Sequence, residues 1–169
     1  MKLPSRYEEM ILPLVAKAKG FLEAGEDLSP LAFIGNFETK QTVPVLIDTA
    51  TEESKDASVR AIALMAAEID ADYVFNIMEG WGLPKDKMNK YQEIIERYGS
   101  VGASPYKIDT ANFMLETRHG VWGCQVPLKF KAPSKKRRTF AAPVTFTFMD
   151  GAEGRFVGLL PRKEAGTLH

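Results

Sequence analysis

The chain is predicted to be an α+β domain: a mainly antiparallel sheet, two to three helices packed on one face, and a strand-rich C-terminal half. Three observations predict it. Between Ser54 and Trp81 a helical pattern runs straight into an apolar strand. Beyond Thr110 the hydrophobic repeat shortens from the helical period to strict alternation. The element order, αββαβα and then three or four strands, places helices early and a meander late, which is an α+β pattern.

Taken from the start, Ser5-x-x-Glu8 has the form of a capping box. Met10, Ile11, Leu14, Val15, Ala18, Phe21 and Leu22 follow at helical spacing, so a first helix is expected from about Arg6 to Glu23. Pro13 lacks an amide and should kink that helix or split off its first turn. Gly25 can take the left-handed conformation that closes it. Leu31–Phe37 and Val43–Ile47 read as strands joined by the polar loop 38–42. Pro44 cannot donate to a ladder, which places the second strand at an edge.

In the central pair, Val59, Ile62, Ala63, Ala66 and Ile69 share a helical face. Leu64 and Met65 widen it, so the helix should be largely covered. Tyr73–Met78 is apolar on both faces, as a central strand is. Pro84 suits a first helical turn. It opens a further amphipathic helix with Met88, Tyr91, Ile94, Ile95 and Tyr98 inward and Gly99 at its end. A loop with Gly102 and Ser104-Pro105 leads to a strand in which Phe113 and Leu115 face one way and Asn112 and Glu116 the other. His119-Gly120 is the expected two-residue turn. Trp122, Cys124, Val126, Leu128 and Phe130 then alternate with polar or small residues. Phe140, Ala142, Val144, Phe146 and Phe148 do the same in what should be one continuous strand. A turn at 150–154 and a last strand, Arg155–Leu160, complete a single domain over 1–169, with a polar tail expected to fray after Pro161.

The length is enough for a core without covalent staples. A lone cysteine, Cys124, allows no internal disulfide, and no apolar run approaches a membrane span. The N-terminal residues lack the apolar stretch of a signal peptide, so a cytoplasmic protein without membrane association is expected. Net charge is zero, yet residues 1–117 carry 12 Lys/Arg against 19 Asp/Glu and residues 118–169 carry 10 against 3. That asymmetry can draw the two parts of the chain together, or draw in a second copy or an acidic partner.

Glu79-Gly80-Trp81-Gly82 ends the central strand, where a carboxylate beside an aromatic could mark a site. The plain alternative is that the glycines turn the chain and Trp81 caps the core. Asp48, Glu79, Asp109 and Glu116 are carboxylates at or near strand ends. Converged, they could hold a hard divalent cation and support a metal-dependent hydrolase, but no spacing signature joins them. His119 could act as a base, although its turn position explains it. Cys124 sits on an apolar face and reads as an inert thiol. Zinc spacing, a nucleophile elbow and a phosphate-cradling glycine loop are all missing from the sequence. No catalytic residue, metal site or cofactor is therefore assigned. Glu79, Trp81, Asp48, Asp109, Glu116 and His119 are the candidate pocket. The sharpest local feature is the run Lys135-Lys136-Arg137-Arg138, preceded by Lys129 and Lys131. These six make a basic loop that could grip nucleic-acid phosphates, or simply keep a strand edge from pairing.

Ala71–Trp81 (a strand ending in an acidic-small-Trp triplet), Ser104-Pro105, Leu115-Glu116-Thr117 and Gly120 give the chain a resemblance over roughly 55–130. It resembles a set of small bacterial and phage-borne proteins with no assigned activity. The resemblance implies an α+β fold and a bacterial or phage setting, and it carries no catalytic residue. The sequence thus predicts a non-catalytic interaction or assembly module, self-associating through its second half. The alternatives are nucleic-acid binding through residues 129–138 and a metal-dependent hydrolase.

Overall fold

The computed structural model describes residues 1–161; the tail beyond Pro161 lies outside the described residues. Helix α1 spans Ser5–Glu23, α2 Glu52–Glu68 and α3 Tyr91–Tyr98, with a 3₁₀ helix at Lys85–Lys90 before α3. The strands are β1 (Leu31–Asn36), β2 (Gln41–Leu46), β3 (Tyr73–Gly82), β4 (Ile108–Thr117), β5 (Gly120–Phe130), β6 (Arg138–Phe140) and β7 (Thr147–Phe148). They form one sheet in the order β2-β1-β3-β4-β5-β6, with β7 also paired to β5, and every pairing is antiparallel. The α+β class and the antiparallel sheet are as the sequence predicts.

The helices do not share a face. Tyr7, Ile11, Val15, Ala18 and Leu22 of α1 pack on the face that carries Tyr73, Phe75, Ile77, Phe113, Leu115, Trp122 and Val126. Ile62 and Ala66 of α2 pack on the opposite face, against Ala32, Ile34 and Val74. β3 is buried from both sides because alternate residues point to two separate cores. Helix α2 is half bare: Leu64 is 72% exposed, and Ser58, Ile62 and Ala66 are its buried residues. Its small alanines mark a face without filling it, and the sheet needs only a narrow stripe.

Local signals were met in part. Ser5 is already helical, and Pro4, with no side-chain cap, stands before α1. Pro13 lies on the exposed side of a helix that continues through it. The end of α1 is a Schellman motif. Glu26 N–H bonds the Phe21 carbonyl, Gly25 N–H bonds that of Leu22, and Gly25 has φ +88°. The capping box belongs to α2, where Thr51 Oγ1 accepts from Ser54 N–H and Ser54 Oγ from Thr51 N–H. β2 is the edge strand. Ile47 N–H bonds the Pro30 carbonyl at 3.0 Å, so by alternation Thr42, Pro44 and Leu46 turn their backbone groups outward. Pro44 thereby removes a donor from the open edge.

The meander differs from expectation at three places. The turn residues between β4 and β5 are Arg118 and His119, and Gly120 already pairs with Thr117. The expected strand 140–148 is broken. Phe140 pairs with Leu128 and Phe148 with Trp122, so the register slips by two residues between β6 and β7. Pro143 interrupts the ladder there, yet Phe140, Val144, Phe146 and Phe148 still pack on the α1-side core. Arg155–Leu160 is a turn-rich segment and not a strand. Glu116 secures it: its two carboxylate oxygens accept the N–H groups of Leu159 and Leu160, each at 3.2 Å.

Candidate functional site

Alternation along β3 puts Ile77, Glu79 and Trp81 on the α1 side and Met78, Gly80 and Gly82 on the other. Glu79 is held twice. Its Oε2 accepts the Leu28 N–H at 2.7 Å, and its Oε1 accepts from Arg138 Nη1 at 2.6 Å. Arg138 also donates to Asp27 Oδ1 at 2.8 Å and stands 3.8 Å from Asp109 Oδ2. Its side chain is only 10% exposed, so three carboxylates surround one buried guanidinium. The hydrogen bond to Glu79, ahead of the charges of Asp27 and Asp109, holds the Arg138 guanidinium above its ordinary range. Two expected pocket residues, Glu79 and Asp109, are thus brought together, and by the last residue of the supposedly free basic run. Asp27 follows the cap of α1 and carries no signal in the sequence.

The other expected pocket residues lie elsewhere. Asp48 sits before α2, where its Oδ1 accepts the Ala50 N–H. Glu116 is on the α2 side of the sheet, occupied by Leu159 and Leu160. His119 is at the β4–β5 turn, its ring 6.3 Å from that of Tyr7. Among the described residues no group of three His, Cys, Asp or Glu is placed to hold a metal. Burial raises the Cys124 thiol, against a smaller lowering from the Thr145 backbone.

The basic loop is drawn onto the end of α1. Lys131 Nζ pairs with Glu23 Oε2 at 3.1 Å, and that hydrogen bond is the main cause that lowers the Glu23 carboxyl. Ser134 Oγ accepts the N–H groups of Lys136 and Arg137. The stems of those two residues lie over Gly25, where an added Cβ would stand 3.4 Å from Lys136 Cγ. Lys129, Lys135, Lys136 and Arg137 remain exposed, while Lys131 and Arg138 are engaged within the fold.

At the end of β3, where the sequence pointed to Trp81, lies a cleft of about 350 Å³ lined by Trp81, Gly82, Leu83, Met88, Tyr91, Val101 and Gln125, the last five of which carried no such signal. Tyr91 is 53% exposed and Met88 62%, so two residues expected to point inward stand open to solvent; Trp81, 55% exposed, turns its side chain to the opposite face of the sheet from Gln125. Lys107 Nζ stands 4.7 Å from the Trp81 ring centroid and Lys87 Nζ 4.8 Å from that of Tyr106. Gly80 and Gly82 do not turn the chain; they remain in β3. A Cβ at Gly80 would meet Asn112 Nδ2 at 2.5 Å, and one at Gly82 would meet Gln125 Oε1 at 3.0 Å. The glycines thus leave room for two amides, Asn112 from the adjacent β4 and Gln125 reaching across from β5. Thr110 Oγ1 donates to Asn112 Oδ1 at 3.1 Å and accepts from Gln125 Nε2 at 3.5 Å.

Comparison with protein-family models, curated proteins and solved structures finds no match. Among the described residues no helix is long and apolar enough to cross a membrane.

Proposed function

We propose that this chain is a non-catalytic binding module whose recognition surface is the cleft at the end of β3. The single observation that carries the reading is the exposure of Met88 and Tyr91 in the lining of one concave space that Gln125 also lines. Large apolar groups left in solvent around a concave, polar-floored space are what ligand sites present. Supporting it, the carboxylates that would serve a hydrolase already have structural partners: Arg138 and Leu28 hold Glu79, and two backbone amides hold Glu116.

The test is fragment binding followed by amide and indole NMR shifts, with adenine, indole and phenol as probes. Shifts should gather at the Gly82 and Val101 amides, the Gln125 side chain and the Trp81 indole. Shifts gathered elsewhere, or none, would overturn the assignment of the cleft.

Self-association is the second reading, with a different location from the one expected. The strand edges are poor candidates: β2 presents Pro44 outward, and β6 and β7 are very short. A second copy would instead meet the apolar groove of about 270 Å³ between α1 and β1, lined by Leu14, Phe21, Leu28, Leu31 and Phe33. Light scattering over a concentration series decides it, and a constant monomer mass would remove it.

A further inference from the structure

We propose that the pocket between the 3₁₀ helix, α3 and the loop that returns to β4 takes a phosphomonoester dianion carried by a small molecule. This pocket shares no lining residue with the cleft at the end of β3, and the proposal does not rest on that cleft's role. Lys87, Lys90, Ile94 and Arg97 follow one another at intervals of three, four and three, so one helical stripe carries three cations around an apolar residue. Ile94 is 4% exposed and seats the stripe on the fold. All three cations line a single pocket of about 140 Å³, together with Glu93, Tyr98 and Tyr106.

Among the described residues none of Lys87, Lys90 and Arg97 stands in an ion pair, and Glu93, one turn before Arg97, does not close on it. Two of the cations rest instead on aromatic faces. Lys87 Nζ lies 4.8 Å from the centroid of Tyr106, and Arg97 Cζ lies 5.4 Å from that of Tyr98. A ring face orients a cation without cancelling its charge. The rings are themselves held, edge to face with centroids 6.3 Å apart. Gly99, at φ +84°, turns the chain back after α3, and Ser104 Oγ accepts the Tyr106 N–H at 3.0 Å. Contacts within the chain thus shape this pocket and aim its charges.

Three cations and one carboxylate leave this lining with two positive charges in excess. A phosphomonoester brings close to two negative charges at neutral pH on one tetrahedral group. Arg97 offers a planar fork for two of its oxygens, and the lysines offer point charges. A monocarboxylate or a phosphodiester brings only a single charge. The volume is well below the roughly 300–1,000 Å³ of pockets that enclose a whole drug-sized ligand. This one holds the phosphate and the atoms next to it.

The experiment is a titration of the whole chain with phenyl phosphate, followed by amide NMR shifts, beside diphenyl phosphate, sulfate and a short tyrosine-phosphorylated peptide. Shifts should gather at the amides of Lys87, Lys90, Arg97, Tyr98 and Tyr106. Phenyl phosphate should bind at least about tenfold more tightly than the diester. Its affinity should fall as pH drops through about 6, where the phosphate takes its second proton, while that of sulfate stays level. Arg97→Ala should weaken binding about 10- to 100-fold, the range of hydrogen bonds to a charged group, and Arg97→Lys should restore part of the loss. Glu93→Gln should instead tighten binding by up to about fivefold, the scale of one exposed charge pair. Both side chains are exposed, and amide shifts away from the pocket report whether each variant keeps the fold. No shifts at the pocket, equal binding of the diester, an Arg97→Ala variant that binds like wild type, or binding by the peptide alone would each overturn the proposal. None of these outcomes bears on the β3 cleft, which the fragment probes test separately.

Discussion

Arg138 ties three separate parts of this fold together through one guanidinium. It closes the basic run in the sequence and looks like one more solvated cation, yet it is the least exposed member of that run. Its guanidinium joins the segment after the α1 cap motif (Asp27), the later part of β3 (Glu79) and the start of β4 (Asp109). Cutting it back would leave Glu79 partly buried and facing Asp109 without a counter-charge. Arg138→Ala is expected to cost about 3 kcal/mol, the scale of a broken buried pair, measured as a fall in urea midpoint at unchanged slope. Arg138→Ala combined with Glu79→Gln should recover part of the loss, because the stranded charge goes with it. A single variant as stable as wild type would show the cluster to be incidental. Nothing in residue type or spacing separates Arg138 from Arg137; only the packing of α1 against β6 does. That is why the charge run was legible and its division into free and engaged cations was not.

At the scale of elements, the sheet is held by glycines as much as by its large residues. Gly35 of β1 pairs with Tyr73 of β3, and the phenol lies directly across it to reach Thr42 Oγ1 at 3.1 Å on β2. One side chain thereby spans three strands, which is possible only where the middle residue has no Cβ. Gly35→Ala would drive a methyl into the Tyr73 ring, and the expected cost is about 3 kcal/mol, the upper end for overpacking. In a Tyr73→Ala background the same change should cost less than half as much; equal costs would sink this account. β1 and β3 themselves were legible, since apolar runs bounded by polar turns survive any arrangement of neighbours. The strand expected at 140–148 was not. Its alternation correctly marks which side chains reach the core, but Pro143 takes the backbone out of the ladder while the phenylalanines stay in place. Likewise the pattern of residues 88–98 is helical, but Ile94 is the one residue of α3 that is buried. Met88 and Tyr91, which line the candidate cleft, are therefore expected from the sequence to face the core. Periodicity reports a face and not what covers it.

For the whole molecule, the charge asymmetry finds its partner inside the chain. Arg118 pairs with Asp70, Lys131 with Glu23, Arg138 with Asp27 and Glu79, and Arg155 with Glu52 and Asp56. Each of these pairs runs from the basic last third to the acidic part before it, so the two fit together without a second copy. This makes stability depend on pH with a definite sign. Hydrogen bonds from Lys131 and Arg155 lower the Glu23 and Glu52 carboxyls from their usual 4.5. Below that value the unfolded chain binds protons that the folded chain still resists. Their contribution is therefore complete above pH 4.5 and is lost as pH falls through the lower folded values. Burial raises the phenols of Tyr7 and Tyr73 from 10.0, which adds a second limb: their contribution is complete below that pH and fades as it rises through the folded values. Urea midpoints taken across pH should thus fall at both ends. Glu23→Gln with Glu52→Gln should flatten the acid limb and leave the alkaline one alone, whereas Tyr73→Phe should do the reverse. An acid limb of unchanged steepness in the double variant would mean that these exposed pairs are screened to nothing, and that the join between the two parts of the chain rests on Arg138 and on the apolar contacts beneath it.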